Sequence, residues 1–259
     1  MDRRNFLFKS AAFLAGSLFG FNSFSRAFAQ ETQKRNLVRQ PRIALIIDDI
    51  GFSFSVARQF LDIGVPLTFS ILPKLPDSRN LALEIHANGH EIMLHQPMEP
   101  HGAGVDPGPG ALYTGFAKDK ITKIMEDNLS SLPPVTGVNN HMGSRFTESQ
   151  KEISETLNII KIKGLFFVDS LTSCRSKAFT IARSFRMTTT YRNVFLDNVA
   201  DEIAILAQLH CLENHARRFG HAVGIGHPFP ETIRAIAAFS RNLAHSGVSL
   251  VHISRIFSA

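Results

Sequence analysis

The chain contains no tryptophan and only two tyrosines in 259 residues, so its aromatic bulk is carried by 22 phenylalanines. Such residues fill a core without adding polar handles and point to no chemistry. Cysteine is equally scarce. Cys174 and Cys211 are the whole supply, without the clustered spacing of a thiolate metal site, and both are expected as packing groups. Charge is thin as well: 19% of residues are charged against 44% hydrophobic, which excludes a disordered chain and allows a sizeable buried core. No internal repeat or low-complexity tract breaks the pattern. The glycine-rich turn that would cradle a dinucleotide after the first strand is missing, which argues against a nucleotide cofactor.

The first 29 residues stand apart. Arg3-Arg4-Asn5-Phe6-Leu7-Phe8-Lys9 precedes an apolar run from Ala11 to Phe21, and Ala27-Phe28-Ala29 supplies a small-x-small cleavage site before Gln30. The twin arginine resembles a Tat signal, so the protein is expected to be exported, to a bacterial periplasm or beyond. The apolar run is too short to span a bilayer stably, which limits any membrane contact to an uncleaved signal segment. Removing the segment takes four cations and one anion from the formal net charge of +6 and leaves +3. That excess does not support nucleic acid as a partner. Residues 30–41 are polar and read as a flexible lead-in to one domain over 42–259.

Within that domain the first strand is unusual. Ile43-Ala44-Leu45-Ile46-Ile47 is wholly apolar and runs into Asp48-Asp49-Ile50-Gly51. A short apolar run rich in β-branched residues reads as a strand buried on both faces of a parallel sheet. Adjacent carboxylates at its mouth repel each other and need a metal, a proton or a base role to compensate. Further strands are expected at Leu67–Ile71, Glu91–Leu94, Val135–Asn139, Leu165–Val168, Thr188–Tyr191, Ala222–Ile225 and Val248–Ile253, alternating with helical segments. A long proline- and glycine-rich loop spans Gln96–Gly115. Some seven such alternations predict a (β/α) barrel of about seven parallel strands, with an open doubly wound sheet as the alternative.

Polar residues follow the last apolar residue of one strand after another: Asp48-Asp49, His95, Asn139-Asn140-His141, Asp169-Ser170, Asp197-Asn198 and His227. In parallel α/β folds those ends converge on one face. Carboxylate and imidazole are the usual ligands of catalytic Zn²⁺, and the absence of thiolate leaves other divalent metals open. Metal-bound water, a neighbouring carboxylate and a further histidine make a hydrolytic set.

Ile47-Asp48-Asp49-Ile50-Gly51, Gly89-His90-Glu91 leading to His95, Gly137 to Ser144, Phe167-Val168-Asp169-Ser170 and Gly224-Ile225-Gly226-His227-Pro228 together resemble the divergent polysaccharide deacetylase family, an offshoot of the NodB-type carbohydrate esterases. The resemblance runs from Pro41 to the C-terminus. It implies a distorted (β/α) barrel, a catalytic base at Asp48, a metal ligand at Asp49 and a general acid at His227. It implies a second ligand at His95. Where the family places another histidine four residues on, this chain has Glu99, flanked by Pro97 and Pro100, so the third ligand is either Glu99 or, preferred, His141. Arg145 is the candidate for the family's base-orienting arginine, and Asp169 for a carboxylate orienting a histidine. Asn140 and Asp197 are expected to support the site or touch substrate. The implied activity is metal-dependent removal of N- or O-acetyl groups from cell-wall or envelope polysaccharide, most simply with Zn²⁺. The alternative is a carbohydrate-binding or cell-envelope interaction protein on the same fold.

Overall fold

The computed structural model describes residues 40–257, apart from 103, 244 and 245. The expected export segment, and all of the lead-in but its last two residues, lie outside the described residues. In chain order the elements are β1 (Arg42–Ile50), α1 (Phe54–Leu61), β2 (Thr68–Ile71), α2 (Ser78–Ala87), β3 (Glu91–Met98), α3 (Lys118–Ser131), β4 (Gly137–Met142) and a 3-10 turn (Phe146–Glu148). Then follow α4 (Gln150–Ile162), β5 (Phe166–Asp169), α5 (Ala178–Ser184), β6 (Thr189–Tyr191), β7 (Val194–Phe195), α6 (Glu202–Phe219), β8 (His221–Gly226), α7 (Pro230–Leu243), β9 (Ser249–Val251) and α8 (Ser254–Phe257).

All paired strands run parallel in the order β6-β5-β4-β3-β2-β1-β8-β7, and β9 joins the start of β1 below the point where β2 takes over. The strand expected at Val248–Ile253 shortens to the three residues of β9, and β7, with two residues, is the strand beyond those expected. The sheet curls into a half-barrel that does not close. Among the described residues β6 pairs only with β5, and β7 only with β8. Arg192 and Asn193 alone separate β6 from β7, whereas a parallel pairing needs a crossover of a dozen residues or more. The seam therefore stays open.

Side chains of β1 alternate between two apolar layers. Ile43, Leu45 and Ile47 pack outward against the helices, while Ala44 and Ile46 face the barrel interior with Met93, Val168, Val223 and Ile225. This double burial is the reason for the uninterrupted apolar run. Ile253 and Ile256 close the lower end of the interior. They are held there because Thr68 Oγ1 accepts from Ile253 N at 3.0 Å and Glu91 Oε2 from Ser254 N at 3.0 Å. Polar strand-end residues line a cavity at the upper end.

Two strand boundaries differ from expectation. β3 continues through Met98, and β4 through Met142, because His95–Met98 pair in register with Asn139–Met142. A hydrogen-bonded neighbour, not local polarity, sets where these strands end. His95 and Asn139–His141 thus sit inside strands, held more rigidly than loop residues would be. Cys174 and Cys211 are both exposed with free thiols, so the structural packing role expected of them is corrected.

Candidate metal centre

By strict alternation Asp48 shares the interior face of Ala44 and Ile46, while Asp49 should point the other way. It does not. Between Ile47 and Ile50 the pairing with β2 slips, three residues on β1 matching two on β2. Asp49 takes a positive φ of 56° within that bulge. A bulge re-aims a side chain, and here it brings consecutive carboxylates to the same site.

Asp49 Oδ1 lies 2.8 Å from His141 Nδ1 and 3.1 Å from His95 Nε2, and the two ring nitrogens are 3.2 Å apart. These three residues are the one group of His, Cys, Asp or Glu among the described residues arranged to hold a metal ion. Tautomers follow from the surrounding hydrogen bonds. Asp48 Oδ1 can only accept, so it takes Asn139 Nδ2 at 2.8 Å, and Asn139 Oδ1 must then accept from His95 Nδ1 at 2.8 Å. That leaves the His95 Nε2 lone pair facing the cluster. The His95 Nε2 lone pair and the Asp49 carboxylate oxygen stand 3.1 Å apart and repel unless a positive charge, a metal ion or a proton at His141 Nδ1, lies among them. Buried Asp49 Oδ1 has no partner among the described residues other than these two ring nitrogens. Donors bound at 2.0–2.1 Å around a tetrahedral zinc stand about 3.3 Å apart, close to the observed edges, so the donor set fits a divalent metal of that kind.

The electrostatics agree. Burial would raise the Asp49 carboxyl, but His141 and His95 outweigh it and hold it far below the usual carboxylate range. Burial would lower His95, but the charges of Asp48 and Asp49 push it up.

In front of the cluster lies a cavity of about 420 Å³ whose walls include Asp48, Asn140, Arg192, Phe195 and His227. His227 follows β8 and faces the cluster across this space. Asp197 Oδ1 accepts from its Nδ1 at 2.9 Å, while Asp197 Oδ2 accepts from His227 N at 2.5 Å and Thr232 Oγ1 at 2.8 Å. Burial would lower the His227 pKa, but that Asp197 contact and the charges of Asp48 and Asp49 raise it.

Three expectations are corrected. Glu99 is no part of the donor set: its Oε2 accepts from Thr114 N and Oγ1 at 2.8 and 2.5 Å, and its Oε1 faces Arg145 Nη1 at 3.4 Å. It pins the long loop, and His141 supplies the third donor position. Arg145, paired with Glu99 and more than half exposed, does not reach Asp48. Asp169 orients no histidine; its oxygens accept from Leu171 N, Ser176 Oγ and Phe179 N and so shape the turn into α5. Asn140 ties β4 to the loop after β5, accepting from Ser170 N at 2.9 Å.

Asn139, named among the strand-end residues without a role, links Asp48 to His95, and Arg192 was missed. Arg192 donates through Nε and Nη2 to Ser170 O and Leu171 O at 2.7 and 2.8 Å and stacks 5.0 Å from the Phe195 ring. Burial lowers its pKa, and the charges of Asp48 and Asp169 oppose that. Arg192 follows β6 directly, so the strand-end rule that selected Asp48 and His227 would have found it.

Residues 45–257 match the family model described as divergent polysaccharide deacetylase. An uncharacterized Agrobacterium tumefaciens protein, ATU2773, superposes with a TM-score of 0.80 at 29% identity, over 84% of this chain and 89% of that one. The Bc1960 peptidoglycan N-acetylglucosamine deacetylase gives 0.54 at 15% identity, over 86% and 90%. BA3943, a CE4 family pseudoenzyme from Bacillus anthracis, gives 0.52 at 15%, over 85% and 66%. The last two likenesses are of fold alone.

Proposed function

Since the chain belongs to the divergent polysaccharide deacetylase family, we propose that it is an exported, metal-dependent hydrolase that removes N- or O-acetyl groups from cell-wall or envelope polysaccharide. The observation that carries this reading is the Asp49, His95 and His141 donor set with Asp48 and His227 on the same cavity.

Asp49, His95 and His141 would hold the metal, most simply Zn²⁺, which when bound polarises an acyl carbonyl and makes water a nucleophile near neutral pH. Asn139 occupies Asp48 Oδ1 and leaves Oδ2 to take the proton from water. Asp197 fixes the Nδ1–H of His227, so Nε2 carries the proton that goes to the departing amine or hydroxyl. The raised pKa favours the imidazolium that this transfer needs. Arg192 adds a fixed positive charge to the cavity wall and compensates Asp48 as substrate displaces water.

The test is acetate release from N-acetylglucosamine oligomers and from peptidoglycan by protein loaded with zinc. Release that Asp48→Asn suppresses by about 10²-fold or more is expected. Stoichiometric metal with glycan binding and no release from any acylated glycan would replace this reading with the carbohydrate-binding one. Export rests on Arg3-Arg4 and the apolar run that follows. Cell fractionation of the full chain against an Arg3→Lys, Arg4→Lys variant checks it, with loss of the periplasmic pool expected.

A further inference from the structure

Beside the catalytic cavity, and sharing Asp49 with it, lies a second cleft of about 140 Å³. Its walls are Ile50, Gly51, Phe52, Ser53, Val56 and Pro228, so Asp49 is its only charged residue. Phe52 is 69% exposed on its rim, and Phe229, next to Pro228, is 41% exposed with its ring 6.0 Å from that of His227. Phe52 and Pro228 line the same cleft and Phe229 follows Pro228 in the chain, so these apolar groups gather beside the proposed centre, as at a binding surface.

Phe52 is also held in place. A Cβ on Gly51 would stand 2.8 Å from Leu75 Cδ1 and 3.1 Å from Ser78 Oγ, so the chain before Phe52 is packed against α2. After it, Ser53 Oγ accepts from Val56 N and caps α1. An exposed ring on a fixed turn gives a preorganised platform, with little ordering cost on contact.

We propose that Phe52, Pro228 and Phe229 form an apolar shelf that stacks against the C–H face of a pyranose ring next to the residue being deacylated. The inference rests on the carbohydrate reading of the adjoining cavity and makes the substrate an oligomer or polymer, not a single sugar. Continuity through Asp49 argues for this occupant: a glycan chain in the catalytic cavity must leave it somewhere, and this neighbouring wall is apolar and nearly uncharged. A pyranose presents an apolar face of matching character, with hydroxyls at its edge that remain in water.

The experiment uses full-length protein carrying Asp48→Asn, which stops turnover, and measures calorimetric binding of N-acetylglucosamine oligomers of two to six units. Affinity is expected to rise with length. Phe52→Ala or Phe229→Ala weakens the longest oligomer by about fivefold to tenfold and flattens the length dependence. Phe52→Tyr restores it, and Phe219→Ala, an exposed ring at the far end of α6, changes nothing. Wild-type oligomer affinity in both alanine variants overturns the shelf. So does an effect confined to acyl-chain length, in which Phe52→Ala alters butyryl-over-acetyl preference while oligomer length dependence stays intact. Phe52-dependent binding in a protein that releases no acetate keeps the shelf and removes the hydrolase reading. Acetate release with Phe52-independent binding does the reverse.

Discussion

Replacing Asp197 by Asn tests the acid side of the centre, and the structure dictates how the change acts. Asp197 Oδ2 receives two donors, His227 N and Thr232 Oγ1, whereas Oδ1 receives one, His227 Nδ1. An asparagine keeps its carbonyl where two donors converge and turns its NH₂ toward His227. Nδ1 must then accept instead of donate, and the neutral ring carries its hydrogen on Nε2. Protonating it would set an N–H against an N–H₂. A hydrogen bond to a charged group contributes about 1.5–3 kcal/mol and a neutral one about 0.5–1.5. The loss of preference for imidazolium is therefore on the order of 1 kcal/mol, roughly fivefold in proton affinity. Little solvent screening offsets this, since the Asp197 side chain is fully buried and that of His227 is 19% exposed.

Nitrogen-15 NMR of labelled histidine reports tautomer and titration together. In the wild type His227 should titrate above the ordinary value near 6.5, with the hydrogen on Nδ1 in its neutral form. In Asp197→Asn the midpoint should fall and the hydrogen move to Nε2, while acetate release drops by about 10²-fold or more. Stability carries the same sign. A raised folded pKa contributes stability that is full below about pH 6.5 and lost as pH climbs through the folded value. The melting-temperature gap between wild type and Asp197→Asn should thus be wider at pH 5.5 than at pH 9. An unchanged His227 titration, or a gap that is flat with pH, refutes the orienting role.

Zinc should raise the melting temperature of the wild type and not of His141→Ala, while Glu99→Gln, which touches only the loop lock, keeps the zinc effect in differential scanning fluorimetry. Metal affinity by competitive chelation should fall as pH drops below neutrality, because burial-resistant protonation of His95, favoured by Asp48 and Asp49, competes with the metal. Asn139→Leu leaves Asp48 Oδ1 and His95 Nδ1 without partners in a buried site and should cost about 1–3 kcal/mol per group in urea unfolding. Gly137→Ala sets a methyl 2.2 Å from the Phe166 ring and should destabilise by about 1–3 kcal/mol, through overpacking at a site that carries no chemistry.

The parallel α/β architecture was legible because β1 carries it openly: both faces of Ile43–Ile47 are buried, so no polar residue interrupts the run. Strand-end position likewise selected Asp48, His95, His141, Asp197 and His227, all of which the fold brings to one cavity or its supporting wall. What could not be read is cross-strand. The bulge that turns Asp49 inward exists only as a register slip against β2. Pairing between β3 and β4 carries both strands past their polar residues, and no single-strand pattern encodes a partner's length.

Asp169 and Asp197 show the limit most directly, because both follow three apolar residues and their surroundings in sequence favour neither as the carboxylate that orients a histidine. In space they diverge by what their neighbours donate. Asp169 meets backbone N–H groups of the turn into α5, so its charge serves the fold. Asp197 crosses to β8 and meets both the backbone and the ring of His227. The difference arises because β7, although only two residues long, pairs with Gly224 and Ile225 and sets Asp197 level with His227. A two-residue strand leaves almost no periodic signal in a sequence, yet here it decides which carboxylate holds the proposed acid. Breaking that ladder with Phe195→Pro, which also removes the ring 5.2 Å from that of His227, should therefore shift the His227 titration in the same direction as Asp197→Asn, whereas Phe195→Leu, which loses the ring and keeps the ladder, should not.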